Sequence, residues 1–476
     1  MRGRRFGAVV AAALIAVSLP PAPAAAQSQP TPSGEQEPDS MATPPPLEPN
    51  YPVPTGTAPD IPYERKVACI TAAPGKQTDL KNKPWGQLEM QFDELHTFSR
   101  GEGVLVGVID TGVNPHNWLN ARGGGDFVRT DERNGMLDCD GHGTEVAGII
   151  AANPPKDSGI GFIGIAPGAE ILSIRQSSAN YSGQRQQPNG QTQEEPAGTL
   201  DTLAQAVVSA AEQGAKVINM SVDNCRPVTG GPIRPAEKNL QSALRYAFEQ
   251  KDVVLVASAG NNGEDCSAGV NTGNPERPSH LVMPPWFSEY VISVAAVRDN
   301  GDPAEFSIPG PWVTVAAPGT EIISLDPTDP NGLVNQQFLP GQQQAQQIQG
   351  TSFAAPYVAG LAALIRSYHK GLDARAVVDR ITSTALHPAA PGGRDNRIGY
   401  GMINPMAALT ATIPSELGIK ADENLNVKAV LPPPNNKNWA PTQVAIIGSA
   451  GAVVLLLLTL FVVHTVRRNR RGSEAV

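Results

Sequence analysis

Three short motifs contain residue types that together can perform nucleophilic catalysis. "VIDTGV" places Asp110 after an apolar run, "DGHGTEVAG" places His142 among small residues, and "GTSFAAP" places Ser352 before an apolar segment. A serine hydroxyl is a poor nucleophile until a base removes its proton, and neutral histidine is a suitable base. An aspartate bonded to the second ring nitrogen would orient that histidine. The three motifs therefore predict a Ser-His-Asp hydrolase.

Each motif alone has a simpler interpretation. Ser352 could merely open a helix as a cap, because serine is common at helix starts. Asp138 and Asp140 are expected to be solvated turn residues. His142 and Glu145 are three residues apart and could hold a metal ion, but no third ligand stands at metal spacing. We therefore expect no metal site and no cofactor.

The motifs lie in a chain where apolar, β-branched runs alternate with helical patterns. Such alternation predicts an α/β fold with a mostly parallel sheet flanked by helices, whose ligands bind beyond the carboxyl ends of the strands. Strands are predicted at 103–110, 170–175, 215–221, 253–260, 291–297 and 312–319. Helices are predicted from Thr144, at 200–214, at 240–250 and after Ser352.

Two long polar segments interrupt this alternation. Residues 176–198 and 331–349 are rich in glutamine and contain few residues that could build a core. Both segments are therefore predicted to be surface excursions, mobile or sensitive to proteases.

The order Asp, His, Ser on a parallel α/β core resembles the subtilisin-like serine proteases. "DTG", "HGT" and "GTSFAAP" match the three motifs of that family. The resemblance implies that Asn261, in "VASAGNNG", is the oxyanion-hole residue. It also implies that Ser221, Val222 and Gly260 bind substrate and that the substrate is a polypeptide. From the three residue types alone, an esterase would fit equally well.

Both ends of the chain point to export. Residues 1–26 combine an arginine-rich start, a short apolar run and an Ala-x-Ala site, which is typical of a cleaved secretory signal peptide. An uncleaved anchor is the less favoured alternative, because three prolines follow the apolar run. Residues 444–463 are uncharged, are long enough to span a bilayer, and precede an arginine cluster. The sequence therefore predicts a single-pass protein of the cell membrane, with its catalytic domain extracytoplasmic and its C-terminus cytoplasmic.

The amino-acid composition bears on the kind of partner and on whether the cysteines form disulfides. The formal net charge of -9 argues against a nucleic-acid partner. Outside the cytoplasm the four cysteines are expected to form disulfides, for which three pairings are possible. The predicted organisation is a signal peptide at 1–26, a Pro-rich extension at 27–84, a subtilisin-like protease domain at 85–414, a Pro-rich linker at 415–443, a transmembrane helix at 444–463 and a cytoplasmic tail at 464–476.

Taken together, these features resemble the mycosins, membrane-anchored proteases of type VII secretion systems. That resemblance implies the disulfides Cys69–Cys139 and Cys225–Cys266, and an N-terminal extension that wraps the catalytic domain. It implies processing of secreted polypeptides, contact with the bilayer, and partners in a secretion membrane complex. The alternative it leaves open is a scaffold of that complex for which proteolysis is dispensable.

Overall fold

The computed structural model divides into two units between Glu416 and Leu417. The signal peptide expected at 1–26 and most of the linker expected at 415–443 lie outside the residues it describes. It describes residues 41–70, 80, 82–187, 190–231, 233–263, 266–267, 269–274, 277–337, 344–417 and 440–472.

A parallel sheet forms the centre of the first unit. Its strands among the described residues are β1 (Leu105–Asp110), β2 (Ala121–Asp126), β3 (Glu170–Arg175), β4 (Val217–Met220), β5 (Val254–Ser258), β6 (Val291–Val297) and β7 (Val313–Pro318). They lie side by side in the order β7-β6-β5-β4-β1-β3-β2, and all neighbours are parallel. The three strands Val217–Met220, Val254–Ser258 and Val291–Val297 are buried at every residue, because helices cover both faces of a parallel sheet.

The helices flank this sheet, which confirms the predicted fold class. They are α1 (His142–Ala151), α2 (Leu200–Glu212), α3 (Pro235–Arg245), α4 (Thr351–Tyr368), α5 (Ala374–Thr384) and α6 (Pro405–Thr410), with short helical turns at Trp85–Glu89 and Phe92–Leu95. Helix α4 packs against α1 and against strands β4, β5 and β6, whereas α2 and α3 pack against each other. The first fifteen residues of α4 are all buried, so its start is held rigidly beside the central strands.

Residues 176–198, predicted as a surface excursion, contain two strands. They fold into an antiparallel hairpin, Ser178–Gln186 with Thr192–Ala197, and the first of these strands also pairs with Glu64–Arg65. Tyr181 anchors the hairpin, because its ring is fully buried with the Arg175 guanidinium 4.3 Å from the ring centroid.

The second polar segment also contributes short strands. Leu333–Val334 pairs with Ser324–Leu325, and Gln336–Gln337 pairs with Gln346–Gln347. Residues 338–343 lie outside the described part. A further two-stranded sheet joins Asn224–Pro227 to His280–Met283.

Residues 41–52 of the N-terminal extension bond to groups of the protease domain. The indole nitrogen of Trp286 donates to the carbonyl of Met41 at 2.9 Å, and the hydroxyl of Ser242 donates to the carbonyl of Pro52 at 2.9 Å. The Tyr51 hydroxyl donates to the side-chain oxygen of Asn239 at 2.9 Å. These polar contacts hold a segment whose described residues 41–70 form only the two-residue strand Glu64–Arg65.

In the second unit, helix α7 (Ala440–Gly472) contains an apolar stretch. Ala445–Arg467 has a mean hydropathy of 2.7 and is long enough to cross a membrane. The helix is longer at both ends than the span of 444–463 predicted from sequence.

Candidate active site

Asp110 and His142 form a bonded pair at the carboxyl edge of the sheet. Asp110 is the last residue of β1 and is fully buried, and His142 is the first residue of α1. Nδ1 of His142 lies 2.7 Å from Oδ1 of Asp110, which also accepts the Thr111 backbone N–H at 2.8 Å. Burial lowers the pKa of His142, because it disfavours the charged ring. The charge and hydrogen bond of Asp110 outweigh burial, so the pKa of His142 lies above the ordinary histidine value.

Helix α1 approaches this edge closely because of two glycines. A Cβ atom on Gly143 would collide with the carbonyl oxygen of Gly112 and lie 3.1 Å from the Cβ of Asp110. Gly141 has a φ of 87°, a left-handed conformation that glycine adopts without steric cost. The small residues around His142 therefore bring the ring within bonding distance of Asp110.

Ser352 lies at the start of α4, next to the histidine. It is the second residue of the helix and 8 % exposed. The cap is Gly350, which has no side chain, so the idea that Ser352 merely caps its helix is not supported. The ring of Phe353 packs against the ring of His142 with centroids 4.9 Å apart, and the Ser221 hydroxyl donates to the Ser352 carbonyl at 2.7 Å.

Asn261 faces the same space as Ser352. Its side-chain oxygen accepts the Thr351 backbone N–H at 2.9 Å and the Thr351 hydroxyl at 3.1 Å. With the oxygen occupied in this way, the amide nitrogen is left as the donor of this side chain. A Cβ atom on Gly350 would lie 3.0 Å from Oγ of Ser352 and 3.7 Å from Nδ2 of Asn261. The absence of that atom leaves room for a reacting group between them.

Sequence reasoning missed the role of Asp138. It is 2 % exposed rather than solvated, and it accepts hydrogen bonds from the Thr111 hydroxyl, the Gly141 N–H, and both the N–H and hydroxyl of Thr144. Burial raises the pKa of Asp138 to about 6, although the bonds from Thr144 lower it. The carboxylate supplies acceptors to the buried N–H groups of Gly141 and Thr144 at the start of α1. A signal was present, since an aspartate shortly before a helix start is a common cap.

The predicted substrate residues line one side of this edge. Ser221 and Val222 follow β4, and Gly260 follows β5, immediately before Asn261. The Gly260 N–H donates to the Thr351 hydroxyl at 3.2 Å, so the ends of β4 and β5 both touch the start of α4. Val222 also lines a cavity of about 250 Å³, together with Leu200 and Leu203.

The cysteines pair as the mycosin resemblance implies, Cys69 with Cys139 and Cys225 with Cys266. The first bond ties the N-terminal extension to the loop before α1. The second closes the segment that follows β4.

Glu145 lies one helical turn beyond His142. It is fully buried, and neither carboxyl oxygen has a hydrogen-bond partner among the described groups. Among the residues that the structure describes, no group of three or more histidine, cysteine or acidic side chains could hold a metal ion. Chemically, the edge offers a hydroxyl, a base bonded to a carboxylate, and an amide donor.

The sequence of this chain is similar to a known protein family and to its members. The sequence profile of the Subtilase family matches residues 101–401. Mycosin-1 of Mycolicibacterium smegmatis is 40% identical over 385 residues, which cover 78% of this chain and 82% of the relative.

Two solved structures are similar over most of their length. One, described as a serine protease MycP1, an essential component of the type VII (ESX-1) secretion system, matches with a TM-score of 0.70 and 39% identity. The match covers 78% of this chain and 100% of the other. A chain in an intact ESX-5 inner membrane complex matches with a TM-score of 0.70 and 36% identity, covering 88% of this chain and 99% of the other.

Proposed function

The chain belongs to the mycosins of the subtilase family, and is thus a serine endopeptidase; on that premise we propose that Ser352, His142 and Asp110 are its catalytic triad. The observation that carries this proposal is the position of His142. One ring nitrogen is bonded to Asp110 while the ring lies against Phe353, next to Ser352.

In the first step, Oγ of Ser352 attacks the carbonyl carbon of the scissile bond as Nε2 of His142 takes its proton. The carbonyl π electrons move to the oxygen and create an oxyanion. Asp110 holds the tautomer in which Nδ1 carries hydrogen, and it stabilises the imidazolium that forms. Collapse of the intermediate expels the amine, which receives the proton from His142. Water then hydrolyses the acyl-serine ester by the same sequence.

Asn261 donates to the oxyanion. Thr351 occupies its amide oxygen, and its amide nitrogen and Oγ of Ser352 both lie near the position that a Cβ atom on Gly350 would take. An amide held this way needs no reorganisation as charge develops, which makes the donor effective in the transition state. The backbone N–H groups at the start of α4 add positive potential at the same place.

The substrate is an extended polypeptide that lies beside Ser221, Val222 and Gly260. The ends of β4 and β5 flank Ser352 on one side, and the adjoining cavity provides room for side chains before the scissile bond. A test is hydrolysis of a peptide library and of simple esters by the purified full-length protein. We expect efficient turnover of peptides that falls about 10⁶-fold in Ser352→Ala. Turnover of esters alone would replace the proposal with an esterase.

The protein acts within a type VII secretion membrane complex and processes its secreted substrates. Support comes from the similarity of this chain to a component of an intact ESX-5 inner membrane complex and from the apolar helix α7. Affinity purification of the tagged protein from its own membranes should recover further secretion components. If secretion fails on deletion of the protein but persists in Ser352→Ala, scaffolding is the essential role. Recovery of the protein alone would contradict membership in a complex.

A further inference from the structure

The carboxylate of Asp60 fastens the N-terminal extension to two other segments of the protease unit. Its Oδ2 accepts from the guanidinium of Arg185 at 2.6 Å and from the hydroxyl of Thr199 at 3.1 Å. Its Oδ1 accepts from the hydroxyl of Tyr63 at 2.7 Å, within the extension itself. One side chain of the extension therefore joins the hairpin, through Arg185, to the start of α2, through Thr199.

The segments that Asp60 joins form one wall of the cavity beside Val222. Ser177 comes just before the first strand of the hairpin and Gly198 just after the second, and both residues line the cavity. Thr199 lines it as well. A Cβ atom on Gly198 would lie 2.8 Å from the Cβ of Ser177, so the two ends of the hairpin meet at this wall. The base of the hairpin and the residue after it therefore set the width of the cavity on this side.

Thr199 is also bonded to α2 and to the end of the central strands. As the N-cap of α2, its side-chain oxygen accepts the backbone N–H of Thr202 at 3.2 Å. The side-chain amide of Gln176 donates to the Thr199 carbonyl at 3.0 Å, and the backbone N–H of Gln176 donates to the Asp110 carbonyl at 2.8 Å. A continuous set of hydrogen bonds thus runs from the carboxylate of Asp60, through the cavity wall, to the last residue of β1.

The rest of the cavity lining favours an apolar ligand group. Leu200, Leu203 and Val222 provide apolar surface in a cavity of about 250 Å³, which suits a single apolar side chain. We infer that Asp60 is a positioning residue for substrate, because it holds the hairpin and the start of α2 in the arrangement that admits such a side chain before the scissile bond. The N-terminal extension thereby takes part in substrate selection. This inference rests on the proposed function, because it takes the cavity to be part of the substrate site.

Loss of the Asp60 carboxylate should change the cavity without unfolding the hairpin. The side chains of Asp60 and Arg185 are 18 % and 29 % exposed, and bonds between charged groups are about twice as strong as bonds between neutral ones. Without Asp60, Arg185 keeps its bond to Glu195 at 2.6 Å, and the two hairpin strands keep their pairing. The hairpin would therefore stay closed but lose its link to the extension and to Thr199.

The test measures substrate selectivity in the full-length protein. Matched peptides carry leucine or alanine at each position in turn before the scissile bond. We expect one position at which leucine is favoured by about 10- to 100-fold in kcat/KM, because its side chain fills the cavity. In Asp60→Asn this ratio should fall by about 5- to 10-fold. The kcat/KM for the alanine peptide should stay nearly the same, because alanine does not fill the cavity.

A matched control is Glu48→Gln, which removes another bonded carboxylate of the extension. Glu48 accepts from Nζ of Lys238 at 2.8 Å, on helix α3, which is outside the cavity lining. This variant should keep the wild-type ratio. Thermal unfolding shows whether each variant is folded. If Asp60→Asn is not, Arg185→Gln breaks the shorter of the two bonds to the hairpin and α2, and it carries the same expectation.

Two readouts separate this inference from the proposed function. A wild-type enzyme without leucine preference, an unchanged ratio in the folded variant, or an equal fall in Glu48→Gln would overturn the role of Asp60. Labelling of Ser352 by a fluorophosphonate reports on the nucleophile. Labelled enzyme with an unchanged ratio contradicts only the role of Asp60, whereas folded wild-type enzyme that resists labelling contradicts the triad.

Discussion

At the scale of single residues, the proposed triad predicts that the Asp110–His142 pair sets the pH range in which the enzyme works. His142 must be neutral to act as base, and its pKa is raised by the charge and hydrogen bond of Asp110 despite burial. Activity is therefore lost on the acid side of a pKa that lies above about 6.5, the ordinary histidine value.

Replacing Asp110 with asparagine tests this pair. The variant loses the negative charge and the acceptor that fixes the tautomer, so kcat should fall about 10⁴-fold. The remaining activity should have its acid limb at lower pH than the wild type, since His142 loses the partner that raises its pKa. The measurement is kcat/KM against pH from 5 to 10. An unshifted acid limb would show that Asp110 does not hold the base.

The role of Asn261 is tested by Asn261→Ala. Loss of a donor to the oxyanion should lower kcat about 10²–10³-fold. KM should change little, because the donor acts mainly in the transition state. Steady-state kinetics on a peptide substrate separate the two parameters. A rise in KM at constant kcat would instead assign Asn261 to substrate binding.

Much of this site could be predicted from sequence, because the residue types of Asp110, His142 and Ser352 follow from the chemistry and each motif has small neighbours. Asp138 could not be assigned in the same way. Its partner Thr111 follows β1, whereas its partner Thr144 lies in α1. The two threonines reach the same carboxylate only when α1 packs against β1. The orientation of the Asn261 amide likewise depends on Thr351, 90 residues away.

At the scale of elements, runs of β-branched residues predicted the buried strands well. Strand β2 (Ala121–Asp126) was missed, because its sequence "ARGGGD" has no apolar pattern. It belongs to the sheet through backbone bonds to β3, with a register shift between Gly123 and Gly125. The hairpin strands Ser178–Gln186 and Thr192–Ala197 were missed because their sequences are also polar. The strand that pairs with the first of them, Glu64–Arg65, is more than a hundred residues earlier in the chain.

Helix α1 contains a group whose burial costs stability, Glu145. Burial raises its pKa well above the ordinary value, although the nearby positive His142 lowers it; Asp138, Asp110 and Asp326 raise it further. Below the unfolded pKa of about 4.3 the carboxyl is neutral in both states and carries no penalty. As pH rises toward the folded pKa, the unfolded state ionises and the folded state loses stability relative to it.

Glu145→Gln should remove this pH-dependent loss. Near pH 4 the variant and the wild type should melt at similar temperatures, and the variant should gain a growing advantage toward pH 8. Thermal unfolding of both proteins across this range is the measurement. A difference that is constant with pH would mean that Glu145 is ionised in the folded enzyme.

At the scale of the whole molecule, composition predicts an N-terminal extension and a C-terminal anchor, but it does not predict their contacts. The segment at 41–70 adheres through carbonyl groups of Met41 and Pro52, which any residue could supply. Composition predicts an extended segment there, and only the folded surface determines where it lies.

The membrane orientation follows from the arginines after the apolar span of α7. Positive residues stay on the cytoplasmic side, so the protease unit should face outward. Single cysteines introduced as Asp157→Cys and Ser473→Cys can be treated with a membrane-impermeant maleimide on intact spheroplasts. Cys at 157 should react at once, and Cys at 473 only after permeabilisation. The reverse pattern would invert the topology.

The central claim is that Ser352 is an activated nucleophile in an accessible site. The most direct test is to treat the full-length protein with a fluorophosphonate and to locate the adduct by peptide mass spectrometry, with Ser352→Ala as control. The account predicts a single adduct on Ser352 that is absent from the control. A folded wild-type protein that remains unlabelled, or an adduct on another serine, would contradict it.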